Sequence, residues 1–207
     1  MSGNQTRIKL TAYHEAGHAM AALREGIQVN RVVAYRGIPG KGVCTFNIRQ
    51  KNPYDVESSP GSAIASWAYT LETTRSDIRI FLAGPLAHAK ALSKPLRLLG
   101  AKSDLTKCLN LASRLTHLHS YVSQFAEIAP INTENILNTE RLRVRRWLAQ
   151  PKVWNAVELI AGKLSLTGQM GNQYLDELIG ISNTSEMQGV LNFWRRIRRT
   201  KNGTMAS

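Results

Sequence analysis

Carboxylates are scarce in this chain. Across 207 residues, 14 Asp and Glu stand against 27 Lys and Arg, a formal charge of +13, and the pI is about 10.2. Such an excess of cations makes an anionic partner plausible (nucleic acid, an anionic membrane surface or an acidic protein) without selecting one. Cysteine is rarer still. Cys44 and Cys108 are the only two, too few and too far apart for a disulfide framework or a Cys-x-x-Cys metal site, which points to a reducing compartment. The first residues, Met1-Ser-Gly-Asn-Gln-Thr-Arg7, contain no apolar h-region, so no signal peptide is expected and the cytoplasm is the expected location. The most apolar run, Ile78 to Leu92, is broken by Arg79, His88 and Lys90 and is too short to cross a bilayer, so no membrane span is expected. A phosphate-binding Gly-x-x-x-x-Gly-Lys-Ser/Thr loop is also missing. Gly40-Lys41 is followed by Gly42, and Tyr35 stands where the first glycine should be, which excludes a recognisable ATPase. No internal repeat is present, and the length suits one domain, or one domain plus a helical appendage.

Against these absences stands Thr11-Ala-Tyr-His-Glu-Ala-Gly-His-Ala19, which contains His-Glu-x-x-His at His14, Glu15 and His18. On a helix, His14 and His18 lie one turn and about 40° apart, so both imidazoles can reach one metal ion. Glu15 then points beside the metal, where it can hold a water and accept its proton, as in a zinc hydrolase. With five histidines in the chain, chance would place this motif in roughly one such sequence in two hundred.

The spacing of Ile8, Ala12, Ala16, Ala19, Leu23 and Ile27 predicts a helix from about Thr6 to Glu25, stopped by Gly26. Val29 to Arg36 and Val43 to Arg49 are rich in β-branched residues around a Gly37 to Gly42 turn, which predicts a hairpin. That hairpin either aligns a substrate by strand addition beside the metal or is purely structural. Residues 50–62 read as a loop. A helix is expected from Thr74 or Ser76 through Ala89, bent or restarted at Gly84-Pro85. After a break at Leu99-Gly100, Ser103 is a candidate N-cap for a helix with a buried stripe of Leu105, Cys108, Leu109, Ala112 and Leu115. Further helices are expected over Thr133 to Ala149, Pro151 to about Leu164, Asn172 to Ile179 and Ser185 to about Arg199, with a disordered tail beyond Lys201. The last helix is basic and amphipathic. It could touch nucleic acid, lipid or a partner, or dock with a solvated arginine face.

Catalytic zinc usually has three protein ligands. The extended His-Glu-x-x-His-x-x-Gly-x-x-His pattern is absent, since Ala21 and Arg24 occupy its last two positions. A third ligand must come from a distant element. Three stretches resemble the peptidase domain of the FtsH zinc metalloprotease family: Ala12 to Ala19, Leu82-Ala-Gly-Pro-Leu-Ala87, and Gly100-Ala-Lys-Ser-Asp-Leu105 with the following Thr106 to Ala112. A weaker likeness joins Leu164 to Gly168 with Tyr174 to Ile179, and together these span most of residues 7–180.

The resemblance implies that His14 and His18 bind Zn2+, that Glu15 is the general base and that Asp104 is the third ligand. It implies a mainly α, multihelical FtsH-type domain over residues 1–180 with a small β-hairpin after the motif helix, leaving 181–207 as a basic helix and tail. It further implies an endopeptidase for unfolded or flexible polypeptides, working here without ATP or with a separate partner ATPase. The oligomeric state stays open. A catalytically silent, zinc-stabilised module binding protein or nucleic acid is the alternative. Where the family has an acidic residue near the site, this chain has His88, which could make a different hydrogen bond, approach the metal or be an ordinary helix histidine. Cys108, four residues past Asp104, could face the cavity or sit in the core. His117 and His119 point to different helix faces and are read as structural or surface residues.

Overall fold

The computed structural model describes residues 3–38, 40–47, 52–53, 59–95 and 102–181. Helix α1 runs Gly3–Arg24 and carries the metal motif in its second half. Its inner face is rich in alanine: Ala12, Ala16, Ala19 and Ala22 have no solvent exposure. Small side chains let a second helix approach at backbone distance. A Cβ on Gly17 would lie 2.5 Å from the Ala83 carbonyl oxygen and 2.7 Å from the Ala87 Cβ. The helix ends as expected at Gly26, whose φ is +76°. The Gly26 amide donates to the Leu23 carbonyl at 3.1 Å and the Ile27 amide to that of Ala22 at 2.8 Å, the paired bonds of a Schellman stop.

The partner is α2, Pro60–Leu92, 33 residues long and so about 50 Å from end to end. This corrects the expected start at Thr74 or Ser76. Ser59 caps the helix by accepting from the Ser62 amide at 3.1 Å, and Pro60 occupies the first turn, where its missing N–H costs nothing. Ala63, Ser66 and Trp67 then supply a buried face at helical spacing. The chain also continues helically through Gly84-Pro85 without a restart. Most of the expected 50–62 loop and the Leu99-Gly100 break lie outside the described residues.

Strands β1 (Val29–Ala34) and β2 (Gly42–Phe46) form the expected antiparallel hairpin. A third strand, β3 (Gln169–Gly171), which the pattern does not predict, pairs antiparallel with β1 and places β1 in the middle. Strand β2 is therefore an edge of the sheet, with one side unpaired among the described residues.

Helix α3 spans Lys102–Val122, α4 Thr133–Ala149, α5 Pro151–Thr167 and α6 Asn172–Ile181. The expected bounds hold for α4. Helix α5 runs one turn past Leu164 to a left-handed cap at Gly168, and α3 opens at Lys102, so Ser103 lies inside it. Cys108, Ala112 and Leu115 are buried on α3 as expected, but Leu109 is 50% exposed and leaves that stripe. The expected Ser185 to Arg199 helix and the tail lie outside the described residues. The architecture is thus mainly helical with a small antiparallel sheet.

A partly buried charge cluster joins the end of α1 to α2 and α4. Arg79 donates to both oxygens of Glu25 at 2.8 Å and to Glu72 and Glu140 at 3.1 Å. Glu140, with no exposed surface, also faces Arg75 at 3.0 Å and Arg143 at 3.1 Å. Such a cluster holds only while every member is paired, because an orphaned buried charge is far costlier than the pair is favourable.

Candidate metal centre

Helix α1 presents His14 and His18 one turn apart towards α2 and α3. The carbonyl of Ile80 on α2 lies 2.8 Å from His18 Nδ1. A carbonyl can only accept, so Nδ1 carries the proton of the neutral ring and the Nε2 lone pair is left to face the site. Gly84 makes this possible. A Cβ there would fall 2.3 Å from His18 Nε2, so the imidazole lies flat against bare helix backbone.

The third group arrives from α3, where Asp104 occupies the first turn and the helix dipole favours its ionised form. Its Oδ2 is 3.0 Å from His14 Nε2 and 3.5 Å from His18 Nε2, and the two Nε2 atoms are 3.0 Å apart. Tetrahedral zinc with bonds near 2.0–2.1 Å spaces its ligand atoms about 3.3–3.4 Å apart. The observed triangle has that size. Its chemistry also fits, because two imidazole lone pairs and a carboxylate aimed at one point repel one another unless a proton or a cation stands between them. Among the described residues, His14, His18 and Asp104 are the group able to hold a metal.

Burial would raise the Asp104 pKa, but the neighbouring His14 and His18, when protonated, outweigh it and hold the carboxyl well below its usual range. His14 is shifted down, mainly by burial. For His18 burial acts in the same direction, yet the bond to Asp104 and the charge of Glu15 overcome it and the pKa rises. Glu15 is 5% exposed and burial pushes its pKa up to about 7. It makes no hydrogen bond among the described residues. Strand β2 presses on it, since a Cβ on Gly42 would lie 2.6 Å from its Oε1.

A cavity of about 700 Å³ opens onto the triangle, walled by α1, α2, α3 and β2. His88 lines it with its ring centroid 6.2 Å from that of His14, beside the triangle of His14, His18 and Asp104 rather than in it. Cys108 turns away into the core, its thiol 3.7 Å from the Ile78 carbonyl. His119 donates to the Ala129 carbonyl at 3.1 Å and packs edge-on against Trp67, and His117 is exposed. Sequence reasoning missed Arg7, Lys41, Cys44 and Lys107 in the cavity wall; only the position of Cys44 on a strand near the motif hinted at it.

A family model described as peptidase family M50 matches residues 8–197 of the chain. The chain belongs to peptidase family M50. M50 members are zinc-dependent metallopeptidases, which agrees with the donor set gathered here. The M50 match does not support the FtsH assignment that the short motifs suggest. Those motifs report a zinc helix and a distant aspartate, whereas the M50 match extends over nearly the whole chain. No curated protein matches the sequence. M50 proteins are generally membrane proteins; among the described residues of this M50 chain, no helix is long and apolar enough to cross a membrane.

Proposed function

We propose that this M50 chain is a zinc-dependent endopeptidase that hydrolyses peptide bonds in unfolded or flexible polypeptides without ATP. The observation that carries the reading is the convergence of His14, His18 and Asp104 at 3.0–3.5 Å with Glu15 buried beside them and without a hydrogen-bond partner among the described residues. In this reading the two histidines and Asp104 hold Zn2+ and Glu15 is the general base. Bound Zn2+ supplies a Lewis acid that polarises the scissile carbonyl and acidifies the attacking water.

Glu15 takes that water's proton on a carboxylate oxygen and delivers it to the leaving amine. Burial raises the proton affinity of Glu15, which favours its accepting the proton, while a divalent ion beside it acts in the opposite sense and favours the proton's release to the amine. The free edge of β2 offers backbone donors and acceptors to an extended chain, and Gly42 brings that edge against Glu15. An extended backbone is what an unfolded substrate has and a folded one lacks. The free thiols of Cys44 and Cys108 are compatible with a reducing compartment such as the cytoplasm.

The test is Glu15→Gln. It should keep one zinc per chain and lose cleavage of unfolded peptides by at least about a hundredfold, the usual range for a general base. Undiminished cleavage by that variant would remove Glu15 from the mechanism.

A further inference from the structure

The charges around the metal cavity are one-sided. Its only lining carboxylates among the described residues are Glu15 and Asp104, both part of the proposed site, and a divalent metal offsets the two together. Three cations line it as well: Arg7 on α1, Lys41 in the turn before β2, and Lys107 on α3. Lys107 lies 3.4 Å from Asp104 Oδ1 and 4.9 Å over the Phe81 ring. Lys41 lies 5.6 Å over the Tyr35 ring, and neither it nor Arg7 has a carboxylate partner among the described residues. The buried Arg79, by contrast, is paired with Glu25, Glu72 and Glu140. The first turn of α3, with Ser103 in the cavity wall, adds the positive end of a helix dipole.

Resting on the peptidase reading, we infer that the substrates are acidic: polypeptide segments with Asp or Glu flanking the scissile bond, received by Arg7, Lys41 and Lys107. Carboxylates on the substrate complete the pairs that the cavity leaves open, and Lys or Arg at the same places meets repulsion. Lys41 immediately precedes the β2 edge, so a chain laid along that edge passes this cation next to Glu15. The overall charge of +13 acts in the same sense by steering anionic segments inward.

The test uses three labelled peptides of one length that share a central apolar pair and differ only in flanks of Asp/Glu, Asn/Gln or Lys/Arg. Binding is measured by fluorescence anisotropy on zinc-loaded Glu15→Gln protein, and cleavage on the parent. Summed over exposed cations worth a fraction of a kcal/mol each, the acidic peptide should bind about tenfold tighter than the amide peptide at low salt. The advantage should shrink as ionic strength approaches about 1 M, where the screening length falls to roughly 3 Å. The Arg7→Glu/Lys41→Glu double variant should abolish or invert it. A double variant at exposed positions outside the cavity, Lys9→Glu/Arg114→Glu, should keep it. Equal binding of acidic and amide peptides overturns the inference, as does an acidic preference that survives Arg7→Glu/Lys41→Glu. Acidic preference in binding with no cleavage of any peptide by the zinc-loaded parent supports the cationic, acid-binding cavity and refutes the peptidase reading, so the two ideas fail separately.

Discussion

Replacing Gly84 with alanine should expose how tightly the proposed metal site depends on helix packing. In the interior of α2 the change ought to help, because alanine is favoured over glycine there by up to about 1 kcal/mol. The added Cβ, however, would stand 2.3 Å from His18 Nε2, 2.5 Å from Cε1 and 2.7 Å from Cδ2. Reaching an ordinary contact near 3.4 Å requires the ring to retreat by about 1 Å. The ring cannot slide freely, since Nδ1 is tied to the Ile80 carbonyl one turn earlier on the same helix at 2.8 Å. A metal site tolerates ligand displacements of only about 0.2 Å. We therefore expect zinc affinity to fall by about a hundredfold, or about 2.7 kcal/mol, and the metal-free protein to lose about 1–3 kcal/mol through overpacking. The comparison is Gly162→Ala in α5, where nothing lies within 4 Å of the added Cβ. That variant should be stabilised by about 0.5–1 kcal/mol with unchanged zinc affinity. Competition with a chromophoric chelator gives the affinity, and thermal melts of chelator-treated protein give the stability. If Gly84→Ala binds zinc like the parent and melts higher, as Gly162→Ala should, then the seat of His18 against α2 has been misassigned.

Asp104→Ala should lower zinc content and affinity while leaving the helical circular dichroism unchanged, measured by metal analysis after dialysis; equal zinc in variant and parent would move the third ligand elsewhere, with His88 the next residue to test. Glu140→Leu should destabilise the fold by about 3 kcal/mol, the lower end for breaking a buried pair, because Arg79 keeps Glu25 and Glu72 while Arg75 loses its buried partner. A urea midpoint within error of the parent would show that the cluster adds nothing net.

The parts of this protein readable from residue order are those whose causes are local. His14 and His18 share a face because four residues make about one helical turn. Gly26 stops α1 because a left-handed residue closes it, and α4 and α5 meet at Gln150-Pro151 because proline opens a helix. The start of α2 was also written locally, in Ser59-Pro60, but the neighbouring prolines, serines and glycine read more strongly as a loop. For β3 the local signal is too weak to see: three residues form a strand only because β1 lies open beside them.

Tertiary structure decided the site itself. Residue order offered two candidate ligands that would need a third and, by resemblance, pointed to Asp104; only the packing of α3 against α2 brings Asp104 Oδ2 to 3.0 Å from His14. The same packing leaves His88 outside the triangle, hides Cys108 and gathers Arg7, Lys41 and Lys107 around one cavity. These outcomes depend on distances between segments far apart in the chain, which are set by how closely alanine and glycine faces let α1 and α2 approach. Spacing along a helix determines direction, and direction is what the sequence of α1 already contained. Whether three side chains point at the same atom is decided by the volume of everything packed between them.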